Sequence, residues 1–368
     1  MKLNSLQLLR AVAIGLVVYA HSIDLQMEFS VSRQQSFFYL QNFGAIGVDL
    51  FFVISGFVIT LVAYRYMGAE DGKQFLVKRF LRINPIYYLA SLVFLGIVAT
   101  AAFLLHDPAP VMISNPWHKF LQTLFIFPLH PVPHLMSIGW TLSVEWLFYV
   151  LFFLLILFKR RKKALLLIIM IVLLVLTGYI ARFRDSRLIF ITNPVLLEFL
   201  PGVIICRAYI LVKNIPKLLA IGFVLAGAGI YVYEIFHGFG YISEMASTVN
   251  GSLSMKRFLF WGLPSSLLVA GCVFLEKNAV GTRLWNNKWI RLTGDASYSI
   301  YLVHLIVFFL LSLVFQRVKY FAIPDAGIIL QLAVAMITGI IFYLFVERPL
   351  LRLVRRKARQ QPAAVSIV

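Results

Sequence analysis

Three titratable side chains lie within long apolar segments, close to the same predicted surface of a membrane. His21, Asp49 and Glu145 fall near the outer ends of three predicted helices, roughly 5, 8 and 12 Å deep at about 1.5 Å per residue. Insertion of a charged side chain into a membrane costs about 2.5 kcal/mol or more at the middle of a helix, so an ionisable residue within a span is taken as a functional candidate. An imidazole beside carboxylates is typical of a general base with an orienting acid. We therefore predict His21, Asp49 and Glu145 as catalytic residues; the alternative for His21 is a hydrogen bond between helices.

Three arginines have spacings that suit an anionic ligand. Arg10 precedes His21 by eleven residues, about three turns, so both share one helix face about 16 Å apart along its axis. Arg79 and Arg82 are i,i+3 neighbours just before a predicted third span, a compact geometry for phosphate. The alternatives are a snorkelling side chain for Arg10 and ordinary cytoplasmic positive charge for the pair.

Two further segments carry polar stripes on apolar helices. One is the run 139–149, in which Glu145 and Tyr149 are i,i+4, and the other places Ser297, Tyr301 and His304 at i, i+4, i+7. Such stripes hold helices together or line an aqueous cavity, and two together favour a cavity. The predicted substrate-binding residues are Trp140, Ser143, Tyr149, Tyr301 and His304.

The elements that must position these residues are membrane-spanning helices. The chain has 368 residues, of which 61% are hydrophobic and 13% charged, with a mean hydropathy of +0.88. Soluble domains carry about a quarter charged residues, so a water-soluble globular class is excluded, as are disordered and collagenous classes. Two cysteines, Cys206 and Cys272, are too few for a disulfide framework.

Apolar runs of about 20 residues predict an all-α, polytopic integral membrane helix bundle of about ten spans. They lie at roughly 7–24, 44–64, 85–105, 137–158, 164–181, 189–210, 217–236, 258–275, 292–315 and 326–346. We expect one membrane domain over 1–350 and a basic cytoplasmic tail over 351–368. The alternative for the first run is a secretory signal peptide ending near Ala20.

The basic residues set the orientation. The formal net charge is +19. With ten spans, 24 of the 34 Lys and Arg fall on the same side of the membrane as the N-terminus. The positive-inside rule then predicts that both termini are cytoplasmic. The charge is therefore explained by the anionic surface of a lipid bilayer, and no nucleic-acid partner is needed.

Six motifs, in order along the chain, resemble those of the acyltransferase-3 family, bacterial integral-membrane enzymes that acylate extracytoplasmic glycans. They are Arg10 with His21, GVDLFFVISGF at 47–57, Arg79 with Arg82, WTLSVEWLFY at 140–149, SYSIYLVH at 297–304 and the closing Glu347-Arg348-Pro349. The resemblance implies that Arg10 and His21 are essential, that Arg79 and Arg82 engage coenzyme A, and that a sugar hydroxyl is the acceptor. Many relatives carry a hydrolase-like domain absent from this chain, so we expect the membrane domain alone to complete transfer.

The expected function is O-acylation at the bacterial inner membrane. Acetyl-CoA, or another acyl-CoA, is expected as a co-substrate with no permanently bound cofactor, and a cell-surface polysaccharide or lipid-linked glycan as the acceptor. A homo-oligomer is left open. The loop histidines show no metal-ligand spacing, so no metal site is predicted. A proton-coupled transporter is the alternative function, because ten helices with intramembrane His, Asp, Glu and Arg also describe a carrier; a scaffold without chemistry is a third.

Overall fold

A computed structural model describes residues 3–29, 43–105, 116–124, 135–157, 162–238, 242–315 and 324–353, and within these ranges the chain is helical, without strands. The first eight helices are α1 (Asn4–Phe29), α2 (Ile46–Val62), α3 (Ala69–Leu105), α4 (Pro116–Leu124), α5 (Gly139–Leu157), α6 (Lys163–Ala181), α7 (Ser186–Ile191) and α8 (Phe199–Leu211). The others are α9 (Lys217–Phe236), α10 (Met245–Val249), α11 (Ser254–Arg257), α12 (Leu263–Lys277), α13 (Thr282–Trp285), α14 (Lys288–Phe315) and α15 (Pro324–Phe342). A 3₁₀ turn covers Pro194–Glu198, and π-helical turns cover Phe258–Gly262 and Tyr343–Glu347.

Ten stretches of the described chain are long and apolar enough to cross a membrane, which confirms the predicted polytopic helical bundle. One span joins α7, the 3₁₀ turn and α8 over Ser186–Leu211. Asn193 caps that turn by accepting from the backbone N–H of Val195, and Pro194 follows it, so the helix is interrupted near the middle of the span. The predicted tail lies, from residue 354 on, outside the described residues, as do the loop histidines His106, His130 and His134.

Helix α3 is far longer than the sequence pattern suggested. It begins at Ala69 and contains Pro85 in its interior, so the predicted start at residue 85 was wrong. The prediction followed the apolar run, and the residues from Ala69 to Asn84 are too polar to be part of such a run. The acidic side chains that open the helix are Glu70 and Asp71, placed where they complement the helix dipole. Arg79 and Arg82 therefore project from α3 itself and not from a segment before it.

Glycines let the central helices meet backbone to backbone. A Cβ on Gly56 of α2 would lie 2.1 Å from the Phe199 carbonyl oxygen, and one on Gly202 of α8 would lie 2.0 Å from that of Val53. Likewise, a Cβ on Gly294 of α14 would lie 2.2 Å from the Gln7 carbonyl oxygen of α1. Helix α1 packs against α2, α12, α14 and α15. The chemistry-bearing face of α1 is thereby fixed beside α14, as an integral part of the bundle.

Candidate active site

A cavity opens between α1, α2, α3, α5 and α14, with a volume of about 840 Å³ that includes its open side. Three guanidinium groups line it, those of Arg10, Arg79 and Arg82. Arg82 is exposed, Arg10 is half-buried and Arg79 is buried. Arg79 lies over the Phe75 ring, with 5.7 Å from the guanidinium carbon to the ring centroid. The sequence-predicted arginine set is therefore brought together in one space.

The remaining polar groups of the cavity include one carboxylate, that of Glu145 on α5. Two hydroxyls hold it: Ser55 Oγ donates to Oε1 at 2.5 Å and Tyr149 Oη donates to Oε2 at 3.1 Å. Within the described residues no ion pair joins a cavity arginine to a carboxylate, and Arg79 Nε lacks a hydrogen-bond partner. An arginine Nε–H buried without a partner is costly, so the cavity is prepared for an anion.

A pair of stacked histidines lies further along α1 and α14. The His21 and His304 ring centroids are 5.3 Å apart, with 26° between the ring planes. His21 Nδ1 is 3.4 Å from Asp24 Oδ2. His304 is fully buried, and its Nδ1 lies 3.2 Å from the Ile300 carbonyl oxygen. Because a carbonyl can only accept, His304 Nδ1 carries the proton and Nε2 presents a lone pair.

Asp49 lies in a different environment from His21. Arg257 grips it in a bidentate pair, with Nε to Oδ1 at 2.9 Å and Nη2 to Oδ2 at 2.8 Å, and Glu198 Oε1 is 3.9 Å from Arg257 Nε. All three side chains are buried. The carboxylate next to His21 is therefore Asp24. Asp49 and Glu145 have other hydrogen-bond partners, so the three predicted catalytic residues are not in contact with one another.

The predicted substrate-binding residues separate into two groups. Tyr149 and Tyr301 line the cavity, and His304 belongs to the histidine pair. Trp140, in contrast, packs in the core with its ring centroid 6.2 Å from that of Phe52. Ser143 is buried and its hydroxyl donates to the Gly139 carbonyl oxygen at 3.3 Å.

Sequence reasoning missed Asp24, Ser55 and Arg257. Asp24 is the last residue of the span predicted at 7–24, three residues from His21, and this i,i+3 spacing was the signal that could have found it. Arg257 lies one residue before the span predicted at 258–275, but α11 and the observed span Ser254–Lys277 include it. Its burial depends on two carboxylates distant in sequence, so no local pattern announces it.

The geometry defines a membrane protein with two functional ends on one face of α1. At one end, guanidinium groups surround a space able to hold phosphates. At the other, a histidine with an acidic partner is able to move a proton. Among the described residues no three His, Cys, Asp or Glu side chains are grouped to hold a metal ion. The arrangement suits transfer of a group from an anionic carrier to a nucleophile.

Comparisons with known proteins agree with this class. The family model described as an acyltransferase domain, that of the acyltransferase-3 family, matches residues 3–347. The chain is 30% identical over 328 residues to the exopolysaccharide production protein ExoZ of Rhizobium meliloti (strain 1021), covering 88% of this chain and 94% of that one. It is 28% identical over 334 residues to a Staphylococcus aureus (strain COL) protein named "Putative O-acetyltransferase SACOL0978". No solved structure matches.

The chain belongs to the acyltransferase-3 family and is a multi-pass membrane O-acyltransferase. The match covers 83% of this chain but 52% of the Staphylococcus protein, so this chain spans about half the length of that relative. A Bacillus subtilis (strain 168) protein named "Putative peptidoglycan O-acetyltransferase YrhL" is 32% identical over 124 residues, 30% of this chain and 19% of that protein.

Proposed function

We propose that this enzyme moves an acyl group, in the first instance acetyl, from acyl-CoA to a hydroxyl of a cell-surface polysaccharide or lipid-linked glycan. The observation that carries the proposal is the set of three guanidinium groups, Arg10, Arg79 and Arg82, around one cavity. Coenzyme A carries a diphosphate and a ribose phosphate, and arginine binds phosphate oxygens through paired N–H groups. Names of relatives support the acceptor class, since they refer to exopolysaccharide and peptidoglycan.

The long donor suits the two separated ends. Arg10 and His21 are about 16 Å apart along α1, a span that an extended pantetheine arm covers. In this proposal the phosphates bind at the arginines, and the thioester lies toward His21. The positive-inside rule favours the cytoplasm for the end with Arg79 and Arg82. The donor then enters from the cytoplasm and the acceptor from the opposite side of a bacterial inner membrane.

His21 supplies the proton transfer. Its neutral ring takes the proton from the acceptor hydroxyl as the oxygen attacks the thioester carbonyl. The carbon–sulfur bond then breaks, and the leaving thiolate receives that proton, which yields the ester and free coenzyme A. Asp24, 3.4 Å from His21 Nδ1, stabilises the imidazolium form between these steps. Membership in an acyltransferase family favours this chemistry over the proton-coupled transporter considered as an alternative.

The test is reconstitution of the purified protein in lipid nanodiscs with acetyl-CoA and a surface polysaccharide. We expect ester-linked acetyl groups on the glycan, detected by mass spectrometry, and release of free thiol. His21→Ala should abolish transfer while acetyl-CoA still binds. Transfer by His21→Ala at the wild-type rate would show that the role assigned to this histidine is wrong.

A matched set of variants tests the donor site. Arg79→Ala with Arg82→Ala should weaken acetyl-CoA binding at least about a hundredfold, because hydrogen bonds to charged groups contribute about 1.5–3 kcal/mol each. Arg65→Ala is the control, since Arg65 is exposed and does not line the cavity. Equal affinity in the double variant and the wild type would exclude the cavity as the coenzyme A site.

A further inference from the structure

Tyr301 lies between the arginine-lined cavity and the histidine pair. It forms part of the cavity wall, and its ring centroid is 5.9 Å from that of His304. His304 in turn stacks on His21. Two ring contacts therefore lead from the cavity to the proposed base, and Tyr301 is the side chain common to both ends.

Hydrogen bonds fix the Tyr301 hydroxyl to the start of α5. It lies 2.9 Å from Thr141 Oγ1, and it donates to the Ile138 carbonyl oxygen at 3.2 Å. Thr141 also lines the cavity, and its Oγ1 lies 3.0 Å from the same carbonyl oxygen. Both side chains are buried. These bonds join α14 to α5 across the end of the cavity.

The neighbouring part of α1 is filled with apolar side chains. Between Arg10 and His21, Ile14, Val17 and Val18 are buried in the main hydrophobic core. Moving them would open voids in a close-packed interior, which is strongly destabilising. Tyr301 belongs to the same core, but the bond from its hydroxyl to Thr141 costs much less to break than the apolar contacts of α1, because a neutral hydrogen bond contributes little net stability.

We infer that Tyr301 and Thr141, joined by their hydrogen bond, form a partition between the donor cavity and His21. The acyl group crosses this partition on its way to His21, so Tyr301 restricts the acyl chains that the enzyme accepts. The inference rests on the proposed function. While the bond is closed, the thioester is kept from the histidine pair and from water on that side. Opening it lets a short acyl group pass, and a bulky one is held back by the phenol ring.

Loss of the hydroxyl has a defined chemical consequence. When the partition is open more often, water attacks in place of the acceptor hydroxyl. The water oxygen bonds to the acyl carbon, and the carbon–sulfur bond of the thioester breaks. His21 passes the water proton to the thiolate. The products are the free carboxylic acid and coenzyme A, formed without any glycan.

The experiment measures free thiol released by Tyr301→Phe in nanodiscs without acceptor, using acetyl-CoA and butyryl-CoA. We expect acceptor-independent hydrolysis of acetyl-CoA to rise about fivefold, the population change that about 1 kcal/mol produces. Use of butyryl-CoA relative to acetyl-CoA should rise by a similar factor. Thr141→Val removes the same bond from the other side, so it should act in the same direction, and the double variant should add little.

Tyr298→Phe is the matched control. Tyr298 lines the same cavity from the same helix, but its hydroxyl donates to the Ile83 carbonyl oxygen at 2.8 Å. Its ratio of hydrolysis to transfer should stay at the wild-type value. The inference is overturned if Tyr301→Phe, while still transferring acetyl groups, changes neither hydrolysis nor chain preference. It is also overturned if Tyr298→Phe changes both equally. Absence of acetyl-CoA binding and transfer in the wild type would instead refute the proposed function.

Discussion

Arginines enter this bundle in two places, and their surroundings differ. At the cavity, Arg10, Arg79 and Arg82 face open space, and no ion pair joins them to a carboxylate in the described part of the chain. In the second place, Arg257 is buried between Asp49 and Glu198 and lies 5.0 Å from the centroid of the Trp261 ring. One residue type thus has two environments: the paired arginine ties helices together, and the N–H groups of the cavity arginines are those that the proposed function assigns to a ligand.

The largest effect on stability should come from breaking the ion pair of Arg257 with Asp49. Arg257→Ala leaves Asp49 and Glu198 buried without a countercharge, and removal of one partner of a buried ion pair costs about 3–5 kcal/mol. We expect a strong fall in thermal stability, measured by unfolding of the purified protein in detergent. Lys256→Ala, the exposed neighbour on the same helix, should change stability little.

A neutral replacement separates charge from packing. Arg257→Met combined with Asp49→Leu and Glu198→Met removes all three ionisable groups while it keeps much of the volume. Buried ion pairs can be replaced by well-packed apolar side chains at little cost, so stability should largely return. If Arg257→Ala unfolds at the wild-type temperature, the assignment of this cluster to the architecture is wrong.

The cavity arginines should show the opposite behaviour. Among the described residues Arg10 makes no direct ion pair, so we expect Arg10→Ala to leave unfolding almost unchanged. Acetyl-CoA binding should weaken at least about tenfold, from the loss of one charged hydrogen bond. Isothermal titration at two salt concentrations measures this effect, since ionic attraction near solvent falls as salt rises. A variant that loses stability but keeps its affinity would make Arg10 a structural residue like Arg257.

A smaller effect is expected at the histidine end. Asp24→Asn removes the charge next to His21 Nδ1, so the imidazolium form is stabilised less during proton transfer. Both side chains are partly exposed, at 37% for His21 and 54% for Asp24, and solvent screens the pair. We expect kcat to fall about tenfold with KM for acetyl-CoA unchanged, a pattern typical of an interaction made in the transition state.

The conservative variant Asp24→Glu provides the control for that comparison. It keeps the charge on a longer side chain and should recover most of the lost rate. If KM rises and kcat is unchanged in Asp24→Asn, the carboxylate acts on binding and the assignment to proton transfer fails.

The sequence predicted the spans well because hydropathy over about 20 residues is a local property. It also grouped Arg10, Arg79 and Arg82, which line one cavity, because their spacing and shared charge predict an anion site. It failed where pairing is long-range: Asp49 and Arg257 are 208 residues apart, and no helical period connects them. The depth argument placed Asp49 and Glu145 close to His21, but depth does not fix the direction in which a side chain points.

Two predicted spans were shorter than the helices that contain them. The run at 7–24 stops at Asp24, five residues before the end of α1, and the run at 85–105 leaves out the part of α3 that carries Arg79 and Arg82. Both differences arise where polar residues continue a helix beyond its apolar part. Hydropathy detects the part of a helix in the hydrocarbon, and the polar side chains of the candidate site lie at its margins.

The smallest effect is expected at Glu145, the acidic residue that lines the cavity together with the three arginines. Glu145→Gln removes negative charge from the proposed anion site but keeps a similar shape. Charge pairs near solvent contribute about 0.2–1 kcal/mol, so acetyl-CoA should bind about threefold more tightly. Tyr149→Phe is the control, because it removes a hydrogen bond to Glu145 and leaves the charge, so affinity should not rise. A large loss of kcat in Glu145→Gln with unchanged donor affinity would move Glu145 from the binding cavity to the chemistry, the role that the sequence predicted.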